Sequence, residues 1–173
     1  MGIYSNRLLN NVTLDIKIKE YTEYIKEHKE NVIKCFDTYI DIIKEVLDCD
    51  IDKVKRNVEI HDDSKFSNEE FEYYRQFFYP IDGEKKDKTI MNNGWLNHIR
   101  LNKHHWNYWV IVDAEGVTAL DMPVEYIAEM ILDWLAMSMK FNNSVKDFYK
   151  NNVDKMVLST NTKILIDRII DQF

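Results

Sequence analysis

A chain of 173 residues, 45% hydrophobic and 31% charged, is long enough to fill one core and ordinary enough in composition to be a single globular domain. Four glycines and two prolines leave few tight turns, which argues against a many-stranded sheet. The net charge of -7 repels phosphate backbones and so excludes general nucleic-acid binding, while a small anionic ligand held by a metal stays open.

Met1–Asp15 carries no basic stretch followed by an apolar one. No apolar run nears the roughly 18 residues of a membrane span, so a cytoplasmic protein without a membrane partner is expected. Cys35 and Cys49 lack CxxC spacing and read as reduced, packed thiols.

The periodicity predicts one long helix over 18–47. Tyr21, Ile25, His28, Val32, Cys35, Tyr39, Ile42 and Val46 recur at alternating steps of four and three, one face of an α-helix. His28 lies inside that stripe, and a buried imidazole needs a partner. Asp50 is expected to cap a second helix over 51–61, with Val54 and Val58 inward. Residues 61–66 break the pattern, and Ser67 with Glu70 reads as a capping box opening a third helix through Phe71, Tyr74 and Phe78 to the stop at Pro80.

A charged loop over 81–89 follows. The next helix is predicted over 91–109, with Trp95, His98, Asn102, His105 and Trp109 on one side. Residues 110–120 predict a small β-hairpin turning at Asp113–Gly116. Pro123 suits the first turn of another helix whose inner face carries Tyr126, Met130, Asp133, Met137 and Phe141. Thr160 is expected to cap a last helix ending near Asp171. The expected fold is an all-α bundle of about six helices, one domain over 1–173 with its core over 18–148.

Five histidines stand out: His28, His61, His98, His104 and His105. Imidazole and carboxylate are the usual ligands of divalent first-row metals. Asp62 directly follows His61 at a helix end. Asp133 sits on an otherwise apolar stripe, where a carboxylate is costly unless a cation meets it. Each has a plain structural reading: a hydrogen-bonded core histidine, an ion-paired aspartate, polar residues flanking aromatic ones. Together they favour a metal site, because several buried ligand-type groups would otherwise each need a separate partner.

The order His28, His61-Asp62, Asp133 on helices resembles the HD-domain superfamily of metal-dependent phosphohydrolases. The resemblance spans about residues 21–140. It implies an HD-like helical bundle in which His28, His61, Asp62 and Asp133 are metal ligands and Asp62 bridges two ions. Members with two metals carry further histidines in the interval where His98, His104 and His105 stand. Lys65 resembles the lysine of the His-Asp-x-x-Lys version of the motif, found in cyclic-dinucleotide phosphodiesterases. The segments His61–Phe66, Asn102–Trp109 and Glu129–Trp134 are also similar to an uncharacterised bacterial and phage family with His-Asp-x-Ser-Lys-Phe and Asn-x-His-His-Trp motifs; that likeness implies a shared site and no activity.

On one straight helix His98 and His105 face the same way, about 10.5 Å apart in rise. They suit flanking positions of a two-metal centre, or one of them alone is a ligand, with His104 the alternative to His105. The expected cofactor is one or two divalent ions of Mn, Fe, Zn, Ni or Co. The expected function is hydrolysis of a small phosphoester, a nucleotide or cyclic nucleotide, with Asp62 and Lys65 catalytic. Lys65, Arg100 and Lys103 are candidate substrate contacts, and Glu129, one turn before Asp133, a candidate support for the ligands. A di-iron oxygenase and a metal-stabilised binding protein are the other classes these residues allow. The cluster Trp95, Trp106, Tyr108, Trp109 and Trp134 reads as core rather than a base-stacking pocket. The sequence leaves the oligomeric state open, a homo-oligomer included.

Overall fold

Few turn residues and long amphipathic stretches give a helical protein with one small sheet. The structure, a computed structural model, describes the backbone of residues 2–173 and the side chains of residues 11–173; the expectation that 1–15 holds no targeting segment falls partly outside that description. Seven α-helices are described, joined by short 3₁₀ turns. No helix among the described residues is long and apolar enough to cross a membrane.

Helix α1 (Gly2–Leu47) ends where Asp48 turns left-handed, at φ 51°, a C-terminal stop that Asp tolerates. Asp50 then caps α2 (Ile51–Glu59), its Oδ1 accepting from the amides of Asp52 and Lys53 at 3.0 and 3.2 Å. The expected α1 stripe holds from Tyr21 to Cys35. Beyond it Ile43 and Leu47 are buried and Ile42 is exposed. A straight helix turns every 3.6 residues, so a stripe stepped at 3.5 drifts off the buried face within a few turns.

The chain divides into two compact units. The first comprises α1 up to Glu27 together with Asp62–Leu101; the second comprises His28–His61 and Asn102–Phe173.

In the first unit, Tyr21, Ile25 and Tyr74 form a small buried cluster with Tyr24, Phe71, Tyr79 and Met91 against it. Helices α3 (Phe71–Phe78) and α4 (Lys88–Leu101) pack together. Gly94 permits their approach, since a Cβ there would stand 3.1 Å from that of Tyr73. The buried Arg75 bonds Glu72 and Glu84.

Two expectations are corrected here. The Ser67–Glu70 capping box does not form: Glu70 is the N-cap of α3 but makes no side-chain cap bond, because its carboxylate is taken by His98 and Asn97. And α4 stops at Leu101, not Trp109.

The reason for that early stop lies in the second unit. The carbonyl of Lys103 accepts from the Trp109 indole at 2.8 Å, and His105 and Tyr108 make three-residue rather than four-residue backbone bonds. The segment becomes a 3₁₀ turn over Trp106–Trp109.

The hairpin forms as expected, β1 (Val110–Asp113) pairing antiparallel with β2 (Gly116–Ala119). The turn needs Gly116, whose φ is 125°.

Helix α5 (Val124–Phe141) is buried on nearly all sides: Ile127, Ala128, Met130, Ile131, Leu132, Leu135 and Ala136 all lie in the core. It is wrapped by α2, α6 (Val145–Asn152) and α7 (Thr160–Ile170). Phe141, expected inward, is exposed; it is the last residue of α5, before Asn142 turns left-handed. Helix α6 was not foreseen, although Ser144 caps it by accepting from the amides of Lys146 and Asp147. Ser159 rather than Thr160 caps α7. Cys35 and Cys49 are free and buried. Burial, aided by the Asp133 charge, pushes the Cys35 thiol up to about 11.

Candidate metal centre

In the second unit α1, the turn after α2, α5 and the segment after α4 each bring ligand-type side chains to one spot. His28 comes from α1, His61 from the turn after α2, Glu129 and Asp133 from successive turns of α5, and His104 from the segment after α4. His28, His61 and His104 are almost fully buried. A carboxylate only accepts, so the Nδ1–H groups of His61 and His104 donate to the same oxygen, Glu129 Oε1, at 2.9 and 3.0 Å. With Nδ1 protonated, a neutral imidazole presents a bare Nε2 lone pair. A buried carboxylate thus fixes two imidazoles in the tautomer that ligates through Nε2.

The Nε2 atoms of His28 and His61 lie 3.3 Å apart. Asp133 Oδ1 is 3.1 Å from His28 Nε2 and 3.8 Å from His61 Nε2. Two ligands each about 2.1 Å from a tetrahedral ion stand about 3.4 Å apart, so these spacings fit donors around one cation. His61, His104 and Asp133 also each offer an atom to a set lying within 4.8 Å of one another. Burial raises the carboxyl pKa of Asp133, but the bond to His28 and the neighbouring imidazoles outweigh it and hold the group well below the usual carboxylate range. Glu129 is likewise lowered: burial opposes the shift, and the bonds from His104 and His61 overcome it. Both carboxylates are therefore ready anions.

The first unit carries a second cluster. Asp62 is buried and left-handed, at φ 58°, as it opens the 3₁₀ turn Asp63–Phe66. Its Oδ2 accepts from Lys65 Nζ at 2.6 Å, and its Oδ1 lies 3.3 Å from His98 Nε2. On the other side of that ring Nδ1 donates to Glu70 Oε2 at 2.9 Å, with Ser64 Oγ at 3.3 Å. Glu70 Oε1 accepts from Asn97 at 2.9 Å. Burial works against charge on His98, but the Asp62 carboxylate and the bonds to Asp62 and Glu70 prevail and raise its pKa.

Within the second unit His28, His61, His104, Glu129 and Asp133 converge; within the first, Asp62, Lys65 and His98 do. His104, the alternative, is the buried member of its pair, and its ring centroid lies 4.3 Å from that of His61. The preference for His105 assumed a helix continuing through both residues. Because α4 ends at Leu101, His105 becomes the half-buried N-cap of the next 3₁₀ turn, and both histidines still offer ring nitrogens to a candidate metal-ligand group.

Arg100 and Lys103 are exposed, and Lys103 Nζ rests 5.7 Å from the ring centres of Tyr108 and Tyr126. Of the tryptophans, Trp134 is buried beside Phe148 and Tyr149, as the core reading has it, whereas Trp95 is exposed beside His98. Glu70 was missed as a site residue. Its capping-box spacing suggested another use, and the pairing of α3 with α4 that brings His98 to it leaves no mark in local sequence.

Fold and site together define a mostly helical protein with one small hairpin and buried histidine–aspartate groups that could hold a metal ion. The chain belongs to a family of unknown function, DUF5662, whose profile matches residues 17–172. No curated protein and no solved structure matches it.

Proposed function

We propose that this chain is a metal-dependent phosphohydrolase with a small anionic substrate, a nucleotide or cyclic nucleotide, and that its likeness to HD-domain enzymes reflects shared chemistry. The observation that carries the reading is the Glu129-braced cluster: two imidazoles held through Nδ1 by one buried carboxylate, with His28 and Asp133 beside them. His28, His61, His104 and Asp133 would hold a divalent ion of the first transition row. When bound, such an ion lowers the pKa of a coordinated water and polarises a phosphoryl oxygen.

Hydrolysis joins a water oxygen to phosphorus, breaks the phosphorus–oxygen ester bond and returns a proton to the leaving oxygen. Following the HD resemblance, Lys65 is assigned to that last step, as proton donor or as the cation meeting the developing charge. Asp62 holds its ammonium in place. Two reduced, buried thiols suit a cytoplasmic setting.

The test is incubation of the Mn²⁺-loaded protein with nucleotides, cyclic nucleotides and cyclic dinucleotides. Metal-dependent release of phosphate or of a linear product, abolished in His61→Ala, is expected. A visible absorption band that responds to reductant, with no turnover of any phosphoester, would instead indicate a di-iron oxygenase. Tight metal with neither property would leave a metal-stabilised binding protein.

A further inference from the structure

We infer that Trp95 is the base-stacking platform of the substrate site: it receives the nucleobase of a nucleotide whose phosphate meets Lys65. The inference rests on the nucleotide reading above and deepens it, by naming the residue that prefers a base-bearing ester to a plain sugar phosphate.

Helix α4 buries Gly94 and His98. Trp95 stands one turn before His98, and side chains three apart on a helix are neighbours. The indole nevertheless stays 36% exposed, although water contact forfeits part of the burial that so large an apolar ring offers. Exposed does not mean loose. The indole leans on the His98 imidazole, with ring centroids 5.8 Å apart and planes tilted by 33°. That imidazole is itself held from α3 and its cap: Nδ1 donates to Glu70 Oε2 at 2.9 Å, and Tyr74 meets the ring edge-on at 6.2 Å. Glu70 and Tyr74 are both buried. A ring fixed before its ligand arrives gives up little rotamer freedom on binding.

The second observation is charge. A net charge of -7 repels a phosphate from most of the surface. Lys65 supplies a cation within the same unit, and contacts in series join it to the indole. Its Nζ lies 2.6 Å from Asp62 Oδ2, Asp62 Oδ1 lies 3.3 Å from His98 Nε2, and His98 touches Trp95. A cation for the phosphate and an aromatic face for the base are the two contacts by which a nucleotide is held. Every base has a π-face, so this platform selects for the presence of a base and not for its identity.

The test is equilibrium dialysis of the Mn²⁺-loaded protein against two phosphonates, in which a carbon–phosphorus bond replaces the ester that hydrolysis would break. One is adenosine 5′-methylenephosphonate; the other is the same sugar phosphonate without the base. Wild type, Trp95→Leu, Trp95→Phe and Lys65→Ala are compared, with the melting temperature of each. Stacking on one ring is worth about 5- to 150-fold in affinity, so the wild type should prefer the base-bearing analogue by that much. Trp95→Leu, which still covers His98 with an apolar side chain, should bind both analogues equally, at the wild-type affinity for the base-free one. Trp95→Phe should keep part of the preference. Lys65→Ala should weaken both analogues alike, because it meets the part they share.

A preference that survives in Trp95→Leu overturns the inference. So does equal loss of both analogues in Trp95→Leu, since a mere cover over His98 would act that way. A wild type that hydrolyses phosphoesters but binds the two analogues equally overturns the platform and leaves the phosphohydrolase standing. A wild type that binds neither analogue and turns over no phosphoester overturns both.

Discussion

The two histidine clusters use the same device with different surroundings. In each, a buried glutamate accepts the Nδ1 proton of an imidazole. The Glu129 cluster gathers three imidazoles and Asp133 beside a large aliphatic core. The Glu70 cluster has one imidazole, two carboxylates and Lys65, among tyrosines and phenylalanines. The contrast teaches that the same brace serves different surroundings: imidazoles with one carboxylate are the usual ligand types of a borderline metal, whereas in the other cluster the carboxylate is met by a lysine.

The largest effect expected from that contrast is on the ligand-rich side. His61→Ala should lose most of the bound metal, and its melting temperature should no longer respond to a chelator that destabilises the wild type, because a metal bound only by the native state stabilises by mass action. Equal chelator sensitivity in the two proteins would remove His61 from the ligands. Next, His104→Ala should lower metal content while His105→Ala leaves it near wild type. The reverse result would show that His105, not the buried histidine held by Glu129, reaches the ion.

A smaller and more selective effect is expected at Lys65. Lys65→Ala should keep the metal of the wild type and lose turnover of whichever phosphoester proves to be a substrate. Full activity in Lys65→Ala would leave the lysine as a mere counter-ion of Asp62.

The smallest effect concerns neither cluster and gauges what an ordinary buried ion pair contributes in the first unit. The bond from Arg75 holds the Glu84 carboxyl below its usual range, in spite of partial burial. A depressed carboxyl stabilises the fold above its unfolded pKa of about 4.3. That stability is lost as pH falls through the folded value. Glu84→Gln should therefore lower stability by about 1 kcal/mol at neutral pH, with the gap closing in acid. A gap that persists well below pH 4 would mean that shape, not charge, accounts for it.

How much of this was legible in sequence depends on the range of the determining contact. The Asp50 cap, the hairpin around Gly116 and the first part of the α1 stripe are set by residues a few positions apart, and they stand as read. The end of α4 is set by an indole six residues beyond the carbonyl it captures, which no helical period reports. Helix α6 was readable from Ser144, yet its few apolar residues gave a weak stripe. The histidines and Asp133 were visible as ligand-type residues on apolar faces. Their convergence within each unit, and the bonds of Glu70 to Asn97 and His98, depend on which helices pack, and local pattern is silent about that.

The claim on which the rest depends is that the Glu129 cluster holds a metal. The most direct measurement is elemental analysis of protein purified without added metal, repeated after reconstitution with Mn²⁺ and with Fe²⁺, for the wild type and His61→Ala. The account predicts about one or two transition-metal ions per wild-type chain and a clear loss in His61→Ala. Metal content near zero in the wild type, both as purified and after reconstitution, would contradict it.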